Sequence, residues 1–181
     1  MTAAPDDRAR AYRDTIGRLP TGVAIVTASG PDGPAGMTTN AVTSLSLQPL
    51  LLLVCFEARS RTLEVVRGSR CFGVNVLAAR EEWLAGVFAS KRVGPQKFEA
   101  LAQAGPDGET PSWSQTHGVP VLDCALAWIV CELRELRPGG DHEIGIGEVV
   151  ATGAQRDDEP LVFHRGAYTK LASQPAGRAS D

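Results

Sequence analysis

The sequence lacks a run of apolar residues long enough to cross a bilayer, which takes about 20. The longest candidate, Leu50 to Phe56, has seven and reads as a buried strand. No sign of charge dominates either. Lys and Arg number 18 against 21 Asp and Glu, a net charge of −3. Sequence-independent nucleic-acid binding draws on a basic surface, so neither a nucleic-acid nor a membrane partner is expected. No Cys-x-x-Cys occurs among the cysteines at 55, 71, 124 and 131. The histidines at 117, 142 and 164 have no ligand spacing with them, so no metal site is expected. Three of the cysteines lie inside apolar runs and read as reduced core residues of a cytoplasmic protein. Gly-x-Ser-x-Gly, His-Glu-x-x-His and the Walker Gly-Lys-Ser/Thr are all missing, as is Gly-x-Gly-x-x-Gly. Gly145-Ile-Gly147 comes nearest, but it sits in mid-strand with no helix after it. It reads as a close backbone approach or a bulge. Residues 1–10 are charged and Ala-rich, without the apolar segment of a secretory signal.

What is present is ordinary for a globular chain. Of 181 residues, 43% are apolar and 22% charged, and the mean hydropathy is −0.07. That length suits one domain, placed at 1–172, with a polar tail at 173–181 expected to be disordered. The 19 glycines and 12 prolines favour a turn-rich fold over a helical bundle. A helix is expected over 8–19, from Tyr12, Ile16 and Leu19, with Pro20 stopping it. Strands are expected at 22–28, near 36–45, at 50–56 and at 71–77. A short helix over 60–68 would take Ser60 as N-cap and Gly68 as terminator. Another helix is expected at 81–88, and residues 90–120 read as loop-rich with a short helix from 95 to 102. Leu122 to Leu136 and Glu143 to Ala154 read as a long hairpin turning at 138–141, with a last strand near 160–164. Strands outnumber helices and do not alternate with them. The fold class is therefore mainly β, an antiparallel barrel of six or seven strands with short flanking helices.

Four polar segments carry candidate chemistry. In Gly36 to Leu47, the side chains of Thr38, Thr39, Asn40, Thr43, Ser44 and Ser46 could hydrogen-bond a flat heterocycle. They would equally suit the wet face of a half-exposed strand. Ser60-Arg61-Thr62 places two hydroxyls and a guanidinium at a predicted helix N-terminus, where unpaired N–H groups attract phosphate. The plainer reading is an N-cap beside a solvated arginine. Ser90-Lys91-Arg92, with Lys97 and Phe98, would extend an anion site or form a solvated loop. Gly139-Gly-Asp-His142 puts a histidine at a hairpin tip, to face a cleft or simply to turn the chain.

Taken in order, these segments resemble the flavin reductase family with the FMN-binding split-barrel fold. The resemblance runs from about Tyr12 to Leu171. It rests on Leu19-Pro-Thr-Gly-Val-Ala-Ile-Val-Thr27, Gly36-Met-Thr-Thr-Asn-Ala-Val-Thr-Ser-Leu-Ser-Leu-Gln-Pro49 and Ser60-Arg-Thr62. It continues through Phe72-Gly-Val-Asn-Val-Leu77, Phe88-Ala-Ser90, Lys97-Phe98, Gly140-Asp-His142 with Ile146-Gly-Glu-Val149, and Pro160-Leu-Val-Phe-His-Arg-Gly-Ala-Tyr168. It implies a Greek-key split barrel and an NAD(P)H-dependent reductase that hands reduced FMN or FAD to a partner monooxygenase by diffusion. It implies a homodimer. It implies that Thr38, Thr39, Asn40, Ala41, Val42, Ser44 and Ser46 line the ring and ribityl chain, and that Ser60, Arg61 and Thr62 hold the phosphate. Asn75 and Val76 would support the pocket, and Phe88, Lys91, Lys97 and Phe98 would border its outer part. His142 would contact the nicotinamide of NADH or NADPH, with Tyr168 nearby. Gln48-Pro49-Leu50 departs from the family's usual Asp-Pro-Pro. The same fold also serves flavin or haem carriers and reductases of ferric iron or cobalamin, which remain the alternatives.

Overall fold

The computed structural model describes residues 5–103, 105–106 and 108–171. The expected tail at 173–181 lies outside these. Four helices, α1 (Pro5–Ile16), α2 (Arg61–Ser69), α3 (Glu82–Ala89) and α4 (Gly94–Glu99), accompany twelve strands. Seven strands form the main sheet: β2 (Ala24–Gly30), β3 (Gly33–Thr39), β4 (Val42–Leu47), β5 (Leu50–Glu57), β6 (Cys71–Val76), β9 (Ala127–Gly139) and β10 (His142–Ala154). Their order is β3-β2-β6-β9-β10-β5-β4, every neighbour antiparallel. A second sheet holds β1 (Thr21–Gly22), β11 (Leu161–His164) and β12 (Ala167–Lys170), and β7 (Trp113–Thr116) pairs with β8 (Val119–Leu122).

The two edge strands β3 and β4 are consecutive in the chain, linked only by Asn40 and Ala41. Laid flat, the edges of seven strands would lie about 29 Å apart. The link reaches about 10 Å, so the sheet has to roll up. The core records the closure. Ala24, Val26 and Ala28 of β2 share one buried cluster with Leu52, Val54 and Phe56 of β5, four strand spacings away along the sheet. Phe56 and Phe72 meet edge to face at 5.8 Å inside. The strand glycines make room for them. A Cβ on Gly145 would stand 2.6 Å from the Phe56 ring, and one on Gly147 would stand 2.6 Å from the Phe72 ring and from Cys131. The ladder also shifts register between Ile146 and Gly147. Close approach and bulge, offered above as alternatives, both occur here.

β2 is buried on its other face too. Val23 and Ile25 pack with Leu84 and Phe88 of α3, Phe98 of α4 and Leu101 in a second cluster outside the barrel. Asn75, fully buried, ties the layers together. Its amide donates to Ile25 O at 3.1 Å and Thr27 Oγ1 at 3.2 Å, while its Oδ1 accepts from Leu122 N at 2.8 Å. The four cysteines are free, and burial pushes the Cys124 and Cys131 thiols up to about 12. Among the described residues no helix is long and apolar enough to cross a membrane.

Several expectations shift. Ser60 caps α2 as read, its hydroxyl accepting from Leu63 N at 3.2 Å. Gly68 does not end that helix. Arg70 does, at φ 60, with its N–H on Val66 O. Its guanidinium donates to Leu133 O at 2.8 Å, which holds a non-glycine residue in the left-handed region. The strand expected over 122–136 begins only at Ala127, because Leu122 ends β8 and Asp123 then bonds Ser112 in both directions. The stretch read as loop contains the β7–β8 hairpin, turned by His117 and Gly118 at φ 51 and 73. The first helix runs over Pro5–Ile16 and stops short of Leu19, and Tyr12, Ile16 and Leu19 are all exposed.

Asn75→Ala is expected to lower the unfolding free energy by about 3 kcal/mol, because it leaves a buried N–H without an acceptor and opens a void. Urea denaturation reads this directly. A loss under about 0.5 kcal/mol would show that the amide is not what joins the layers.

Candidate functional site

Three of the four polar segments converge on one cleft. It measures 470 Å³ and is walled by Ala35 to Thr38 of β3, by Glu57 with Ser60 to Thr62, and by Phe88 to Arg92 with Gly94 and Lys97. That volume lies in the usual range of about 300–1,000 Å³ for small-ligand sites. The rolled sheet brings edge strand β3 beside α2 and α3, so segments some 25 residues apart in sequence face each other.

The cleft has two chemical ends. One is the N-terminus of the nine-residue α2, where Ser60 and Thr62 hydroxyls lie with Arg61, Lys91 and Arg92. First-turn N–H groups and three cations make this end of the cleft electropositive. The other is the β3 edge with Phe88. A Cβ on Gly36 would stand 2.7 Å from the Phe88 ring, so the ring lies directly on backbone here. Thr38 Oγ1 donates to Ala85 O at 2.7 Å, fixing β3 to α3. Lys97 closes the floor. It is buried, and its ammonium donates to Gly36 O at 3.1 Å and Phe88 O at 2.7 Å. Burial pushes that ammonium below the usual lysine range. Phe98 lies behind the wall, stacked edge to face on Phe88 at 5.3 Å.

Two further clefts adjoin. One of 190 Å³ takes Val23, Thr38, Thr39, Asn40, Ala89, Phe163 and Tyr168, sharing Thr38 and Ala89 with the main cleft. Tyr168 leans on Phe163 at 5.7 Å, and burial, with Glu82 nearby, raises its hydroxyl. Asn40 donates to Thr21 Oγ1 at 2.9 Å. The other cleft, of 550 Å³, is lined by Glu57, Ala58, Arg59, Gly140, Asp141 and His142, and it meets the main cleft at Glu57. His142 reaches it because β10 pairs with β5 in a register that sets His142 opposite Glu57. Its Nδ1 lies 2.8 Å from Asp141 Oδ1. That hydrogen bond, then the nearby imidazole charge, holds the Asp141 carboxyl below its usual range.

The structure thus brings Thr38, Ser60, Arg61, Thr62, Phe88, Lys91 and Lys97 together. Thr39, Asn40, Tyr168 and His142 stand in the adjoining clefts. Ala41, Val42, Ser44 and Ser46 do not line any of the three. Val42 packs on the barrel core, Ser44 is exposed, and Ser46 Oγ accepts from Gln48 N at 3.1 Å. Asn75 and Val76 lie within the sheet, behind the cleft wall. Met37, Glu57 and Arg59 line the clefts without having been singled out in the sequence. Glu57 is the strand's last residue, three before Ser60, and only the strand's end signals it.

An antiparallel split barrel with a cleft running from the Phe88 ring to cations at a helix N-terminus has the form of a site for a planar, phosphorylated ligand. The comparisons with known proteins agree. The chain belongs to the flavin reductase-like domain family, whose model matches residues 16–172. It is similar to the reductase subunit of a flavin-dependent monooxygenase from Rhodococcus jostii, 35% identical over 90% of this chain and 77% of that protein. It is also similar to an FMN reductase (NADH) from Rhizobium rhizogenes, 35% identical over 91% of this chain and 90% of that one. Among solved structures, an NADH:FAD oxidoreductase from Streptomyces globisporus superposes with a TM-score of 0.81 at 32% identity, covering 96% of this chain and 98% of that one.

The Asp141–His142 contact has a pH signature. The bond is intact above the ordinary carboxylate pKa and is lost as the pH falls through the lowered one. In His142→Ala the Asp141 carboxyl is expected to titrate at higher pH than in the parent, followed by carboxyl-carbon NMR. An unmoved titration would break the pairing.

Proposed function

We propose that this protein is an NAD(P)H:flavin oxidoreductase that supplies reduced FMN or FAD to a partner monooxygenase. The observation that supports it most is the junction at Glu57. There a cleft with an anion-binding end meets a second cleft that carries His142. The residues present fit a phosphorylated flavin. The α2 N-terminus with Ser60, Arg61 and Thr62 takes the phosphate, and the β3 edge against Phe88 takes the ring. The flavin supplies the chemistry, accepting hydride at N5 from nicotinamide C4.

The chain's own work is positional. Lys97 holds the β3 edge and the end of α3 at a fixed separation, which sets the cleft width. Met37 and Phe88 exclude water from one side. His142, oriented by Asp141, positions the nicotinamide, and no side chain has to take a proton in the transfer. We further propose a cytoplasmic homodimer of a single domain spanning 1–172. Leu45, Leu47 and Leu50 on the β4–β5 hairpin are exposed, Leu47 at 81%, and suit burial against a second copy.

Purified protein is expected to oxidise nicotinamide only when flavin is added, tested with NADH or NADPH crossed with FMN or FAD and followed by nicotinamide absorbance. Absence of turnover with all four pairs, with flavin bound, would leave a carrier or a reductase of another acceptor. His142→Ala is expected to lower kcat/KM for the nicotinamide about tenfold or more while changing flavin affinity by less than about twofold. Equal effects on both would remove the positioning role. Arg61→Ala is expected to weaken FMN about tenfold and riboflavin hardly at all, since only FMN carries the phosphate. Fluorescence titration with the two ligands checks this.

A further inference from the structure

The cations that line the main cleft differ in burial. Arg61, Lys91 and Arg92 are exposed, so water and salt screen them. Lys97 is only 8% exposed. Its ammonium meets two neutral carbonyls, Gly36 O and Phe88 O, and no carboxylate pairs with it among the described residues. Burial lowers its pKa, and no neighbouring acid offsets the shift. An ammonium has three N–H donors. The carbonyls take two, and the side chain borders the cleft. The helix that carries it is held in place. A Cβ on Gly94, where α4 begins, would strike Pro34 O, and Phe98 sits between Phe88 and Trp113 at 5.3 Å from each. The acid among the cleft's described walls, Glu57, lies at the α2 end, three residues before Ser60. The floor therefore keeps a buried positive charge with no counter-charge of the protein's own.

We propose that Lys97 makes this cleft hold reduced flavin more tightly than oxidised flavin, by opposing the negative charge that the ring gains with the hydride. The proposal rests on the reductase reading above. A hydride brings two electrons and one proton. The C4–H bond of the nicotinamide breaks, an N–H bond forms at N5, and the ring is left with one negative charge. The attraction is Coulombic and falls only as the inverse of distance, so it acts on the ring as a whole and needs no contact at one atom. The neutral oxidised ring gains nothing from it. Hydride transfer is thereby more favourable in the cleft than in water.

Two measurements test this, and neither needs turnover. The first is the midpoint potential of bound FMN against free FMN, by anaerobic dye equilibration. The second is the affinity for 8-mercapto-FMN, whose oxidised ring is an anion at neutral pH, relative to FMN. The parent is expected to bind reduced FMN about tenfold or more tighter than oxidised FMN, a potential raised by about 30 mV for a two-electron couple. Lys97→Gln keeps amide donors for the two carbonyls but no charge, and should lower both ratios at least about fivefold. Lys97→Arg keeps the charge and should keep both ratios raised. Arg92→Gln, which removes a screened charge, should move them by less than about twofold. A parent potential at or below that of free FMN overturns the proposal, as does a Lys97→Gln potential that stays raised while both redox forms weaken alike, the mark of a purely structural lysine. If Lys97→Gln does not fold, Arg61→Gln and Arg92→Gln decide: a potential that drops to the free value in either assigns the effect to the exposed cations and overturns the proposal, and one that stays raised in both upholds it. A raised potential without nicotinamide oxidation overturns the reductase reading alone, and oxidation with an unraised potential overturns the role of Lys97 alone.

Discussion

Two residues, Asn40 and Ala41, join the opposite edges of a seven-stranded sheet, and that short tether governs the rest of the molecule. A link of this length forces the sheet to curl until its edges come near each other. Curling creates an interior, which Phe56 and Phe72 fill and which Gly145 and Gly147 make wide enough. It also leaves a split, since β3 and β4 share no ladder. The cleft opens along β3, one of those unpaired edges, where backbone and short polar side chains remain available to a ligand.

Helices furnish what the sheet cannot. α2 directs its N-terminus and the Ser60–Thr62 segment at one end of the cleft. α3 and α4 supply the opposite wall. Their hold on β3 is electrostatic as well as apolar, because the buried Lys97 ammonium bonds one carbonyl from each side of the gap. A buried charge needs such partners. Here they are the backbone of the strand and the helix end that define the cleft, so satisfying the charge also sets the width of the site.

Legibility followed the range of the interaction. Ser60 as a cap needed only Leu63 three residues on, and was readable. The glycine pair in β10 was readable as an anomaly, though not which rings it faces. The end of α2 was misread because Gly68 is the usual signal, while Arg70 adopts the left-handed conformation with help from Leu133, on a distant strand. The β7–β8 hairpin was missed because His-Gly is an uncommon pair at its turn. In the site, the resemblance named most of the residues that meet. The alternating Ser44 and Ser46 looked equivalent to Thr38, yet they sit on the opposite edge strand.

The sequence by itself determined most of the element types, the antiparallel barrel class, the Ser60 cap of α2 and the family. Each of these depends on local patterning or on ordered motifs within one stretch of chain. Only the tertiary structure decided which polar residues share a cleft, that Asn75 ties the layers together, and that Glu57 lies between the two clefts. Those facts depend on ladder register and on sheet closure. A shift of one residue in the β5–β10 register would move His142 from opposite Glu57, and the local sequence of neither strand records it.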